Sequence, residues 1–266
     1  FMNCRPNQVG LFRQELAGRD ATVIAYVRRQ DRWMQSAWNQ QARFGRCSLD
    51  FWDFYAHVRR RARGDYHRML VPWVDAFGAD HVHVRNFDSL PSDIVDDFFD
   101  TIRPGFVAPT PAVPPTRVNT MAGAVHLVAV SRIVDACREQ LGDDFTLATS
   151  SAIRIAEFFR SRPGRDARFS VLSHADALRV HRDFVESNRS LAEMLPEFAE
   201  SGGFPEPHAD EYADHVDVSA LGDDVFDGDE RRFLERMTRE IVRARRAGND
   251  APAAGWRTRL RRRRAR

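Results

Sequence analysis

A guanidinium and a hydroxyl that could meet on one phosphate stand eight residues apart, at Arg28 and Ser36. They flank a short run, Val23-Ile-Ala-Tyr-Val-Arg28-Arg29-Gln-Asp31-Arg32-Trp-Met-Gln-Ser36. The first part is β-branched and aromatic on both faces, the pattern of a strand buried on both sides. The second part reads as a helix from 32 to 43, with Asp31 placed to cap it. Ligands of open α/β sheets bind beyond the carboxyl ends of the strands. A helix N-terminus at that edge adds free N–H groups and the positive end of a dipole. Arg would supply a planar charged fork and Ser a compact donor. Arg29 is the alternative to Arg28, because strand register decides which of the two faces the ligand. The plain alternative is a surface Arg28 paired with Asp31 and a solvated Ser36.

Other groups offer less. Asn39 and Gln40 could line an acceptor pocket, but helix amides of this kind are more often exposed. Arg85 could reach the ligand edge or lie on a solvated strand face. His81 and His83 share one strand face with no third ligand, so no metal is expected. Asn188 falls on an apolar helix face, where its amide is expected to satisfy the backbone of a neighbouring segment. Cys4, Cys47 and Cys137 form no disulfide pattern, and a reducing cytoplasm suits them. All 40 basic residues are Arg, so no lysine can act as catalyst or phosphate ligand. The net charge of +2 hides an acidic body. Arginine crowds the last ten residues, Arg257 to Arg266, which contain no acid. That tail suits an anionic membrane surface; nucleic acid is not expected as a partner.

The elements that must position these groups follow from apolar spacing. A second aromatic helix carries Phe51, Trp52, Phe54 and Tyr55. Tyr66, Met69, Leu70, Trp73, Val74 and Phe77 recur at helical spacing, with Pro72 expected to kink or break that helix and Gly78 to end it. Residues 82–87 alternate as a second strand, and 92–102 are helical. Five prolines make 103–118 a long loop. Helices follow at 127–141, around 152–159, and at 174–195. Residues 203–230 read as an acidic, mobile linker, 231–247 as a last helix, and 248–266 as a basic disordered tail. Strand, helices, strand, helix is the order of α/β architecture.

The segment around Arg28 and Ser36 resembles the sulfotransferase family, in particular its bacterial, polysaccharide-related branch. The Arg-Arg-Gln-Asp run, Ser36-x-x-Asn39-Gln40, Trp73-x-x-x-Phe77-Gly78, strand 82–87 followed by Asp88, Asp97-Phe98-Phe99 and Phe184-Val-Glu-Ser-Asn188-Arg-x-Leu191 occur in the family's order. The likeness covers roughly residues 10–200, within a domain drawn at 1–202. It implies a P-loop-type three-layer parallel sheet flanked by helices, with a mostly helical C-terminal half. It implies 3′-phosphoadenosine 5′-phosphosulfate as co-substrate, with its 3′-phosphate on Arg28 and Ser36. The reaction would be sulfuryl transfer to a hydroxyl of a saccharide or other small acceptor, with no metal. The family opens with a Gly/Thr/Ser-rich phosphosulfate loop and places its base shortly after. No such loop precedes residue 22, and Glu15 is not assigned as the base, so the catalytic group is expected outside this chain. Phe1 in place of Met agrees with a missing upstream part. The competing expectations are a non-catalytic nucleotide-binding or scaffold form of the fold, or a glycosyl or phosphoryl transferase.

Overall fold

A computed structural model describes residues 4–90, 93–103, 105, 121–165 and 167–248. The chain divides into two compact units. The first comprises residues 1–34, 55–118 and 174–211; the second comprises 35–54, 119–173 and 212–266. Among the described residues no helix is long and apolar enough to cross a membrane.

The elements run in the order α1 (Pro6–Glu15), β1 (Val23–Val27), α2 (Gln30–Ala42), α3 (Phe51–Arg60), α4 (Tyr66–Phe77), β2 (Val82–Asn86) and α5 (Ile94–Ile102). Then come α6 (Ala124–Leu141), α7 (Thr149–Arg160), α8 (His174–Arg182), α9 (Val185–Met194), α10 (Pro196–Glu200) and α11 (Gly228–Arg246). The boundary between units falls within α2, after Met34, and within α3, before Tyr55.

The expected three-layer parallel sheet is not what the chain forms. Among the described residues the only sheet has two strands, β1 and β2, paired in parallel from Val23↔Val82 to Val27↔Asn86. The apolar residues beyond β2 explain this. They recur every three or four positions, which suits helix faces and not pleated strands. The parallel pair itself obeys the usual rule that such strands need a long helical crossover, here supplied by α2, α3 and α4.

The first unit packs β1 and β2 against α4, α9 and α10. Ala25, Val27, Val82 and Val84 meet Leu70, Trp73, Leu191 and Phe198 in one buried cluster. Helix α4 starts where Asp65 accepts from the Arg68 N–H and stops at Gly78, whose φ is +89°. It runs through Pro72 without ending there. The single helix expected over 174–195 is broken at Asp183–Phe184. Tertiary contacts hold the break: Tyr55 donates to the Asp183 carboxylate, and Arg59 donates to its carbonyl at 3.2 Å.

The second unit is built on α6, which packs against α7 and α11. Leu127, Val130, Ile133, Ile155, Phe159 and Met237 are buried there. The Phe158 and Phe233 rings stack at 3.7 Å between centroids. Helix α11 opens with a reciprocal capping box between Asp227 and Glu230. The stretch expected to be a mobile linker, 203–230, forms three short 3-10 turns, and Val218 and Phe226 within it are buried. Of the loop expected at 103–118 most lies outside the described residues, as does the Arg257–Arg266 tail.

Candidate functional site

The carboxyl end of β1 delivers three arginines within five residues, and the fold sorts them by burial. Arg28 follows the strand directly, with its side chain 35% exposed. Its Nε donates to Asp88 at 2.8 Å, and its guanidinium lies 5.6 Å from the centre of the Phe87 ring. Asp88 sits just past the end of β2, in a turn where the Asn86 side chain accepts from the Asp88 N–H. The two parallel strands end side by side, so strand ends bring Arg28 and Asp88 together. Arg32, one helical turn further on, reaches the same carboxylate at 3.3 Å and Glu211 at 3.2 Å.

Arg29 does the opposite job. Its side chain is 4% exposed and binds the fully buried Asp31 with two prongs, at 2.7 and 3.2 Å. It also donates to Glu211 and to the Pro205 carbonyl. The register is therefore settled: Arg28 points outward and Arg29 is a buried structural cation. The pairing of Arg28 with Asp31, the plain alternative, belongs instead to Arg29.

Around these groups a frame of hydrogen bonds holds the strand–helix junction. The Tyr66 hydroxyl donates to the Arg28 carbonyl at 2.7 Å. Gln30 is fully buried. It exchanges amide bonds with Asn188 at 2.6 and 3.2 Å and donates to the Gly64 carbonyl at 3.2 Å. Asn188 thus satisfies a side chain, not the backbone expected. Partial burial opposes the charge on Glu211, but Arg29 and Arg32 outweigh it and hold its pKa below the ordinary value. A depressed carboxylate stabilises the fold above its unfolded pKa, about 4.3, and loses that contribution as pH falls through its folded pKa. Acid unfolding followed by circular dichroism should therefore show wild type losing more stability below pH of about 4.3 than Glu211→Gln loses. Parallel curves would refute the assignment.

Ser36 belongs to the second unit and is exposed on α2. Asn39, expected at the surface, is 2% exposed. It holds the Ala122 backbone at both ends, donating to the carbonyl and accepting from the N–H at 2.9 Å each. Gln40 is exposed. Arg85 is tied to Asp97 at 2.6 Å, so it braces β2 against α5. His83 lies 2.8 Å from Glu197. Among the described residues no group of three or more His, Cys, Asp or Glu side chains gathers as metal ligands.

Sequence spacing missed Arg32, Asp88 and Glu211. Arg32 was legible as a basic residue in the first turn of the helix that follows Arg28. Asp88 was marked only as the residue after the second strand, with nothing to pair it with Arg28, and Glu211 carried no signal. Chemically, the arrangement can hold an oxyanion. Within the Arg28 guanidinium, Nε is the nitrogen that donates among the described residues, which leaves both terminal amino groups of the fork for a ligand.

No family model matches the chain. A curated protein of Archaeoglobus fulgidus, described as uncharacterized, is 31% identical over 90 residues. That stretch is 33% of this chain and 23% of the relative, so the chain spans under a quarter of that protein's length. No solved structure matches.

Proposed function

We propose that this chain is part of a sulfotransferase-like protein and that Arg28 holds the 3′-phosphate of 3′-phosphoadenosine 5′-phosphosulfate. One observation carries the reading. A half-buried guanidinium stands at the carboxyl end of a parallel strand, braced through Nε by Asp88 and over a ring by Phe87. Its two outer amino groups match the bidentate geometry that phosphate prefers. Arg32 adds a second cation beside it, already half-neutralised by Asp88 and Glu211. The order of motifs from Arg28 to Asn188 supports the same family.

In the proposed reaction an acceptor hydroxyl of a saccharide or other small molecule attacks the donor sulfur. The bond from sulfur to the bridging phosphate oxygen breaks, the acceptor proton passes to a base, and adenosine 3′,5′-bisphosphate leaves. No residue of this chain is assigned as that base. Arg28 binds and orients the donor; it does not touch the sulfur. A cytoplasmic setting belongs to the proposal, since reducing conditions keep Cys4, Cys47 and Cys137 as the free thiols they are. Contact of Arg257–Arg266 with an anionic membrane surface is a further part of it.

Binding of adenosine 3′,5′-bisphosphate, measured by calorimetry and by retention on the immobilised nucleotide, tests the site. Hydrogen bonds to charged groups contribute about 1.5–3 kcal/mol, so Arg28→Ala should weaken binding roughly 10- to 100-fold. Unchanged affinity in Arg28→Ala would remove the site.

A further inference from the structure

The second unit contains a cleft of about 510 Å³, within the range of roughly 300–1,000 Å³ typical of small-molecule sites. Its apolar lining is Ala42, Val128, Val134 and Leu221. The rest of its lining is charged and hydroxylic, and offers both donors and acceptors.

Two arginines in the wall are under-used. Arg46 is exposed and has no ion-pair partner among the described residues; its guanidinium lies 5.0 Å from the centre of the Phe44 ring. Arg138 is loosely placed 4.0 Å from Asp135, and its Nε is buried with no hydrogen-bond partner among the described residues. A buried donor left unmet is a standing cost that a ligand oxygen would remove. Arg132, by contrast, is already paired with Asp223 at 2.7 Å.

Much of the remaining polar lining accepts; the exception is Ser48, whose hydroxyl takes the Asp50 N–H at 3.0 Å and keeps its own proton to give. Ser131 gives its hydroxyl proton to Asp135 at 3.3 Å, and Ser219 gives its own to Asp217 at 2.6 Å. Their oxygens are left as acceptors, beside the carboxylates of Asp50 and Asp135. A complementary ligand therefore needs an anionic group for Arg46 and Arg138. It also needs several hydroxyl donors for the acceptors, and a C–H face for the apolar lining.

We infer that this cleft binds a hydroxyl-rich anion, a sugar acid or a sugar phosphate, with its charged group between Arg46 and Arg138. The inference uses no residue of the nucleotide reading. Its geometry is held by the end of α2. There Arg46 N–H bonds to the Gln41 carbonyl at 3.0 Å and Gly45 N–H to the Ala42 carbonyl at 2.8 Å, a Schellman closure that fixes where Arg46 emerges.

Calorimetric titration with D-glucuronate, D-glucose 6-phosphate and neutral D-glucose tests it. At least one of the two anions should bind saturably, and glucose at least tenfold more weakly; which anion binds more tightly distinguishes carboxylate from phosphate recognition. Arg46→Gln, at an exposed position, should weaken the anion at least tenfold, and Ser219→Trp at the rim should block it. Arg28→Ala should leave it unchanged, so failure here and failure of the nucleotide reading are separable. Absence of binding by both anions overturns the inference. So does glucose binding as tightly as the anions, or binding that survives both Arg46→Gln and Ser219→Trp.

Discussion

Arg29→Met is expected to destabilise the protein by about 3–5 kcal/mol, the usual cost of removing one partner from a buried ion pair. Asp31 is fully buried, and Arg29 neutralises both of its oxygens. Met fills similar volume but removes the guanidinium that binds both carboxylate oxygens. The Pro205 carbonyl would also lose a donor, and Glu211 would keep Arg32 as its one cation among the described residues. Denaturant unfolding should show a lower midpoint with an unchanged slope. The double variant Arg29→Met with Asp31→Leu should recover much of the loss, because a buried pair replaced by apolar groups is often tolerated. A loss below about 1 kcal/mol would place the pair in the class of surface salt bridges and refute the burial argument. The contrast with Arg28 is instructive. Its partner Asp88 keeps Arg32, so Arg28→Ala should lower ligand binding far more than stability.

Gly45→Ala should cost about 2–5 kcal/mol, from two independent sources. Gly45 has φ of +63°, where a Cβ adds about 1–2 kcal/mol of strain. A Cβ there would also lie 2.5 Å from Cγ2 of Val134, and overpacking of a closed interior costs about 1–3 kcal/mol. Gly18→Ala provides the control: its φ is +76°, but nothing lies within 4 Å of the added atom. It should show the strain alone. Combining Gly45→Ala with Val134→Ala should be less damaging than the sum of the two, since the second change makes room for the first. Strict additivity would mean that the chain relieves the clash elsewhere. Because Gly45 lines the cleft and sets Arg46, the same variant should also impair anion binding there.

Much of the local architecture was legible. The apolar spacing from Tyr66 to Phe77 predicts α4 to its last residue, and Gly78 ends it as expected. The strand at 22–27, the strand at 82–87 and the final helix all form within a residue or a few of their expected places. The sheet was over-read. A buried strand and an alternating one are compatible with a large parallel sheet, but two strands are all that appear among the described residues. Likewise 174–195 has helical spacing throughout, yet it divides at Asp183, where Tyr55 and Arg59 bind.

The candidate site divides along the same line. Residue types and spacing determined that a guanidinium would stand at the end of β1, that no lysine could stand beside it, and where the helices would turn their apolar faces. Those properties are local, because strand and helix periods repeat within a few residues. Tertiary structure alone decided which of two adjacent arginines was buried, since Arg28 and Arg29 differ only in the face they take. It also decided that Asn39 would hold Ala122, 83 residues away, that Gln30 would pair with Asn188 across 158, and that Arg29 would reach Glu211 across 182. Such pairs follow no period. A polar side chain finds its partner only after the apolar faces have packed, and the identity of that partner is a property of the packed fold.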